Sequence, residues 1–312
     1  MTTAGYAVVG TDYAGLGNNA IDHKYLAYSV NALDVFHSLK AARQAFGAIL
    51  SKQWVAAGHS QGGAVVWRLA EDLPAIAAKY RSDEAKNYLG AVSLAPATRP
   101  WDLLLAGVGV MKSGVDFHKY GIPGYFGLMS ITTKRVYPDF SASILGSGMR
   151  ARMPLVVQGQ LCLEPATALT ADLTGEQITS MVGSGPGASA ADIAILEDWQ
   201  KRFDPGNRAN ATTFGPVLVV QGVSDTAVNA SVVEATWKDA CALGSEVHLT
   251  LYPKQDHDGV IVAAMPDWLE WIAARFAAAK AGTLNMMARN KCTKVIKTPV
   301  DFQFARALPV VA

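Results

Sequence analysis

Hydrophobic positions along this chain fall into two alternating rhythms. Short apolar runs, rich in β-branched or small residues and often bounded by glycine, read as strands. They cover about Tyr6 to Gly10, Trp54 to Ala57, Leu89 to Pro96, Phe214 to Gly222 and Glu246 to Tyr252. Longer segments with helical spacing lie between them. Tyr25 to Phe46 carries Leu26, Val30, Leu33, Phe36 and Leu39 near the helical period. A run from Ala64 to Ala70 opens a second helix, which is expected to stop near Pro74. Another helix spans about Ser231 to Leu243, and a last one follows Gly259. Strand and helix in alternation predict an α/β fold: a parallel sheet with helices on both faces.

From about Ala97 to Thr213 this rhythm breaks. Trp101 to Met111 and Ala190 to Phe203 read as helices, Tyr120 to Gly127 as flexible and aromatic, and Gly183 to Gly187 as a loop. Residues 1–96 and 214–282 are therefore expected to form the core, and 97–213 a mostly helical cap inserted after a strand. Residues 283–312 form a tail without strong period, ending in the apolar stretch Ala307 to Val311. No internal repeat or low-complexity segment interrupts this plan.

Composition narrows the function classes. Hydrophobic content is 50% and charged content 17%, which suits a globular chain with a large core. A formal charge of +1, with no Lys/Arg cluster, argues against nucleic acid as partner. No uncharged apolar run reaches membrane-spanning length. Met1 to Tyr6 shows no basic stretch leading into an apolar one, so no signal peptide is read there. Three cysteines cannot all pair internally. A bridge from Cys241 to Cys292 would staple the tail to the core and leave Cys162 over; three reduced thiols are the alternative. Two glycosylation sequons, Asn210-Ala211-Thr212 and Asn229-Ala230-Ser231, lean toward an oxidising compartment.

The chemistry concentrates in Gly58-His59-Ser60-Gln61-Gly62, set between a strand-like run and a helix-like run. Strand, G-x-S-x-G, helix is the nucleophile-elbow pattern. Its turn is so sharp that Gly58 and Gly62 are expected to relieve crowding. A serine hydroxyl needs a base to take its proton, and the base needs an orienter. In such folds the acid follows the serine in the chain, and the histidine follows the acid. Asp225, just past the Phe214 to Gly222 strand, fits the acid; His257, on the loop Pro253 to Gly259, fits the base. Asp256 and Asp258 are rivals for the acid, but adjacent side chains reach a ring nitrogen poorly. Asp12 precedes the serine and reads as a structural residue. His59 sits in the elbow and reads as a local packing or hydrogen-bonding residue. His248 lies inside a strand, and His23, His37 and His118 lack a strand-end setting. The histidines show no paired metal-ligand spacing, and Gly15-Leu16-Gly17-Asn18-Asn19 lacks the third glycine of a dinucleotide fingerprint, so no metal or cofactor is expected.

With these residues placed, the chain resembles the fungal secretory lipases, the lipase A type of α/β-hydrolase. The matching stretches are Gly5 to Val9 leading to Asp12-Tyr13-Ala14-Gly15-Leu16-Gly17, the elbow Gly58 to Gly63, Gln221 to Asp225 with Val228, and Tyr252-Pro253 to His257. They span about residues 5 to 295. The resemblance implies hydrolysis of acyl esters, with acyl transfer as a side reaction, by a Ser60–His257–Asp225 triad. It implies the backbone N–H of Gln61 as one oxyanion donor, a Cys241–Cys292 bridge and an extracellular enzyme. Substrates would be small-molecule or lipid esters. The cap would lie over the serine and could meet a lipid–water interface. Leu104, Met111, Phe126 and Leu128 are candidates to line an acyl pocket. The departure is at the front. A strand that normally lies between the first strand and the elbow strand, its oxyanion loop and a cysteine to partner Cys162 have no counterpart here, so the chain reads as an N-terminally short form. A peptidase or acyltransferase using the same triad, or a non-catalytic member, are the competing expectations.

Overall fold

Parallel strands covered on both faces read as near-continuous apolar runs, and two central runs of this chain have that character. The structure is a computed structural model that describes residues 1–17, 20–184, 187–207, 212–284 and 292–298. Among the described residues, five strands pair in parallel, in the order of the chain. They are β1 (Trp54–His59), β2 (Tyr88–Leu94), β3 (Val217–Gly222), β4 (Val247–Tyr252) and β5 (Thr293–Ile296). Every residue of β2 and β3 is buried. The helices are α1 (Tyr28–Phe46), α2 (Gln61–Lys79), α3 (Pro100–Lys112), α4 (Ile122–Val136), α5 (Ser147–Gln158) and α6 (Leu163–Ala168). After these come α7 (Gly175–Ile178), α8 (Ala190–Phe203), α9 (Ala230–Ala242), α10 (Gly259–Ala263) and α11 (Met265–Ala281).

Two compact units divide the chain. One holds Met1–Tyr13, Tyr28–Thr98 and the chain from Pro205; the other holds Ala14–Ala27 and Arg99–Asp204. In the first, Val92 and Leu94 of β2 and Leu218 and Val220 of β3 pack with Val260, Trp268 and Ile272 of α10 and α11. Successive strand side chains point to opposite faces. Ser93 therefore faces the other way, and its Oγ donates to the Gly63 carbonyl of α2 at 2.8 Å. Helices thus cover both faces. A disulfide joins Cys241, in α9, to Cys292, the residue before β5. Cys162 is unpaired and exposed.

The second unit is helical. Gln200 of α8 accepts from the N–H groups of Trp101 and Asp102 at the start of α3 through its Oε1, at 3.1 and 3.2 Å. Asp192, on the first turn of α8 and buried, accepts from both N–H and Oγ of Ser141 and Ser143. Arg135 of α4 ties the segment 14–27 in, through the His23 carbonyl at 2.8 Å and Asp22 at 3.1 Å.

Several expectations need correction. Tyr6 to Gly10 is not a strand: among the described residues no strand pairs with it, and Val8 and Val9 are exposed. An extended segment becomes a strand only through a neighbour's ladder, and β1 is the sheet edge on that side. The elbow helix does not stop at Pro74 but continues to Lys79. Proline removes the N–H that would bond the Ala70 carbonyl, and Phe214 N–H takes that carbonyl instead at 2.8 Å. The first long helix starts at Tyr28 rather than Tyr25, since Leu26 has φ 59°. Tyr120 to Gly127 is largely the first turns of α4, with Pro123 where a helix tolerates it. Gly124 serves packing there: a Cβ on it would meet Thr167 Oγ1 at 2.4 Å. The sequon Asn210, residues 185–186 of the expected loop, and the apolar end Ala307 to Val311 lie outside the described residues. Asn229 is exposed and caps α9, its Oδ1 accepting from Ser231 N–H at 2.9 Å.

Candidate active site

One residue separates β1 from α2, and that residue is Ser60. Its backbone has φ 55° and ψ −116°. Non-glycine residues in such regions carry strain of about 1–3 kcal/mol and persist only where the surroundings hold them. Ser60 N–H donates to the Leu94 carbonyl at 2.9 Å, and its own carbonyl accepts from Ala64 at 3.2 Å and Ala97 at 3.0 Å. The turn is thereby tied to the C-terminal end of β2. A Cβ on Gly58 would lie 2.2 Å from the Gly62 carbonyl oxygen, and one on Gly63 would lie 2.8 Å from that of Leu94. Gly62 has more room, its nearest such neighbour being Tyr13 Oη at 3.8 Å. The close approaches thus fall on Gly58 and Gly63. Gln61 opens α2, so its N–H has no intrahelical acceptor. Its side chain donates to Asn31 Oδ1 at 3.3 Å.

Asp225 stands just beyond β3 with a side chain that is 0% exposed. Its Oδ1 accepts from the N–H groups of Ala227 at 2.9 Å and Val228 at 2.7 Å. Its Oδ2 accepts from Gln221 Nε2 at 3.0 Å and from His257 Nδ1 at 2.8 Å. A carboxylate acceptor on that side assigns the ring proton to Nδ1 and leaves the Nε2 lone pair available. The sequence signal for Gln221 is slight: an amide at the end of an otherwise apolar strand. Its Nε2 also donates to the Gly222 and Val228 carbonyls, which fixes its orientation.

His59 and His257 meet across the site. Their ring centroids are 4.5 Å apart, and His59 Nε2 donates to the His257 carbonyl at 3.0 Å. Burial, and then the neighbouring His257, lower the pKa of His59. Among the described residues no hydrogen bond joins Ser60 Oγ to His257. Catalytic contacts are often loose in ligand-free enzymes and tighten with substrate.

Other candidates stand elsewhere. Asp256 Oδ1 accepts from Gly259 N–H at 2.7 Å, shaping its own turn, and Asp258 is exposed. His248 bonds Thr293 Oγ1 at 2.9 Å. His118 and His23 bond the carbonyls of Leu173 and Ala14. His37 packs edge-on against Tyr80. Asp12 is exposed. In the helical unit Leu104, Met111 and Phe126 are buried and Leu128 is half-buried. A cavity of about 900 Å³ in that unit is lined by Ser143, Arg150, Thr174, Glu176, Gln177 and Ser180 among others, and by none of those four.

A parallel sheet with a strained serine turn after one strand, an acid after another and a histidine after the next is an α/β-hydrolase fold. Solved structures share it. A Legionella pneumophila protein with a provisional hydrolase description superposes with a TM-score of 0.64 at 19% identity, over 86% of this chain and 68% of that one. Candida antarctica lipase A gives 0.59 at 15% identity, over 90% of this chain and 61% of its own. A ligand-bound form of LipA, the rice cell wall degrading esterase of Xanthomonas oryzae, gives 0.53 at 17%, over 86% and 69%. This chain therefore spans about two thirds of the length of these structures. No protein-family model and no curated protein sequence matches it. Among the described residues, no helix is long and apolar enough to cross a membrane.

Proposed function

We propose that this chain is a serine carboxylester hydrolase of the lipase or esterase kind, akin to the fungal secretory lipases. The observation that carries the reading is a strained serine turn whose preceding residue, His59, packs on His257, a histidine whose Nδ1 is held at 2.8 Å by a fully buried aspartate. Ser60 Oγ attacks the ester carbonyl while His257 Nε2 takes its proton. Asp225 keeps the ring in the required tautomer and stabilises the imidazolium. The N–H of Gln61, at the positive end of α2, receives the developing oxyanion. His257 then returns the proton to the leaving alcohol. A water, deprotonated by the same nitrogen, releases the acid. The substrate in this reading is an ester with a hydrophobic acyl group. The Cys241–Cys292 bridge suits an extracellular enzyme.

Labelling with a fluorophosphonate probe tests this directly. Labelling of the purified chain that vanishes in Ser60→Ala supports the reading; a folded chain that does not label sinks it. A second reading, a non-catalytic binding protein of the same fold, is favoured by the missing Ser60–His257 hydrogen bond. It predicts no labelling with the circular-dichroism spectrum intact.

A further inference from the structure

We infer that His59, His257 and Asp258 form a transition-metal site whose filling takes His257 out of use as a base. The consequence for catalysis rests on the reading above; the binding does not. One donor atom from each residue lies within 4.8 Å of the other two. The two histidines are 198 positions apart, so no ligand spacing could betray them in the sequence. Asp258 Oδ1 is already 3.9 Å from His59 Nε2. Zinc bonds of about 2.0–2.2 Å place tetrahedral ligands roughly 3.3 Å apart, so the donors must close by up to about 1.5 Å. Asp258 can supply much of that movement. Its side chain is 87% exposed and makes no capping bond to α10.

The surroundings of His257 favour a metal ligand. A histidine that binds metal through one nitrogen usually gives its other N–H to a carboxylate, which fixes the ring and raises its basicity. His257 already donates Nδ1–H to Asp225, and Asp225 is itself anchored by Gln221 and two backbone N–H groups. The free nitrogen is thus Nε2. His59 contributes Nε2 by shifting its proton to Nδ1 and giving up the carbonyl of His257. Two imidazoles, one carboxylate and a water make a zinc-type set, and imidazole equally suits copper. With the metal on Nε2, His257 has no lone pair left for the proton of Ser60.

A Zn²⁺ titration against a chromophoric chelator, on protein carrying Ser60→Ala, reads the site without any catalysis. One zinc per chain is expected, with affinity falling at least tenfold on adding either His59→Phe or Asp258→Asn. Absence of stoichiometric binding, or affinity unchanged by both substitutions, overturns the site. Should His59→Phe fail to fold, Asp258→Asn decides alone, because that side chain is solvent-exposed. In the wild type, zinc at the same concentrations should slow fluorophosphonate labelling, and chelator should restore it. Binding without slowing refutes the effect on His257. A metal-free chain that never labels refutes the hydrolase reading and leaves the titration to judge the site.

Discussion

Replacing Asp225 with asparagine changes one atom and divides the roles that the carboxylate combines. Four donors converge on it: two backbone N–H groups on Oδ1, and Gln221 Nε2 and His257 Nδ1 on Oδ2. Asparagine offers one acceptor oxygen. If that oxygen stays with Ala227 and Val228, the new NH₂ points at His257 Nδ1 and at the Gln221 amide. His257 must then carry its proton on Nε2, and in the proposed mechanism it can no longer accept from Ser60. If the amide flips, two buried backbone donors are orphaned. Gln221 cannot rescue the swap by turning over, because its NH₂ also serves the Gly222 and Val228 carbonyls. A wrong-tautomer substitution of this kind costs about 10⁴-fold in turnover, or about 5 kcal/mol of barrier. A buried donor facing another donor adds about 1–3 kcal/mol of lost stability. The fluorophosphonate labelling rate and the urea midpoint measure the two effects separately. A wild-type labelling rate in Asp225→Asn would refute the argument. A larger loss in Asp256→Asn would show that the orienting carboxylate is misassigned.

Neighbouring glycines should respond in opposite ways. Gly58→Ala, with its Cβ 2.2 Å from a backbone oxygen, should lose about 1–3 kcal/mol or more in urea unfolding, whereas Gly62→Ala should hold its stability or gain up to ~1 kcal/mol from helix propensity. Opening the Cys241–Cys292 bridge by a double serine substitution should lower stability by up to about 4 kcal/mol, given the separation of 51 residues; an unchanged urea midpoint would contradict this. The folded-state pKa of His59 lies below its usual 6.5, so the unfolded chain binds more protons just below that pH. Its contribution is therefore whole above about pH 6.5 and is lost as pH falls toward the folded value. In chelator-containing buffer, His59→Phe should flatten that acid-side fall, and identical slopes would count against the assignment.

Much of the fold can be read from the chain because the central strands are buried on both faces and therefore written in unbroken apolar runs, such as Val217-Leu218-Val219-Val220. β5 escapes the same reading. Thr293 to Ile296 is exposed along its length, and what makes it a strand is the edge of β4 beside it. Tyr6 to Gly10 fails in the opposite sense, since its apolar residues carry a strand pattern and, among the described residues, find no ladder. Short helices such as α7 hide because their signal is a cap, Thr174 with Gln177, rather than a period. At the site, the pairing of Asp225 with His257 is legible because both follow a strand in the chain order that the elbow demands. The meeting of His59 with His257 and Asp258 is not legible, since it depends on how the loop after β4 folds back against the last residue of β1. No local pattern encodes that.

The backbone at Ser60 also bears on how this sequence would drift. Glycine would adopt φ 55° and ψ −116° with little penalty, whereas serine holds them against about 1–3 kcal/mol. Most proteins sit only slightly above the stability they need. A descendant relieved of any work at this position would therefore slide downhill, and the slide would begin by losing the hydroxyl. Inactivated copies of such a chain should accumulate glycine at position 60 sooner than alanine, so the residue found there serves as a gauge of disuse.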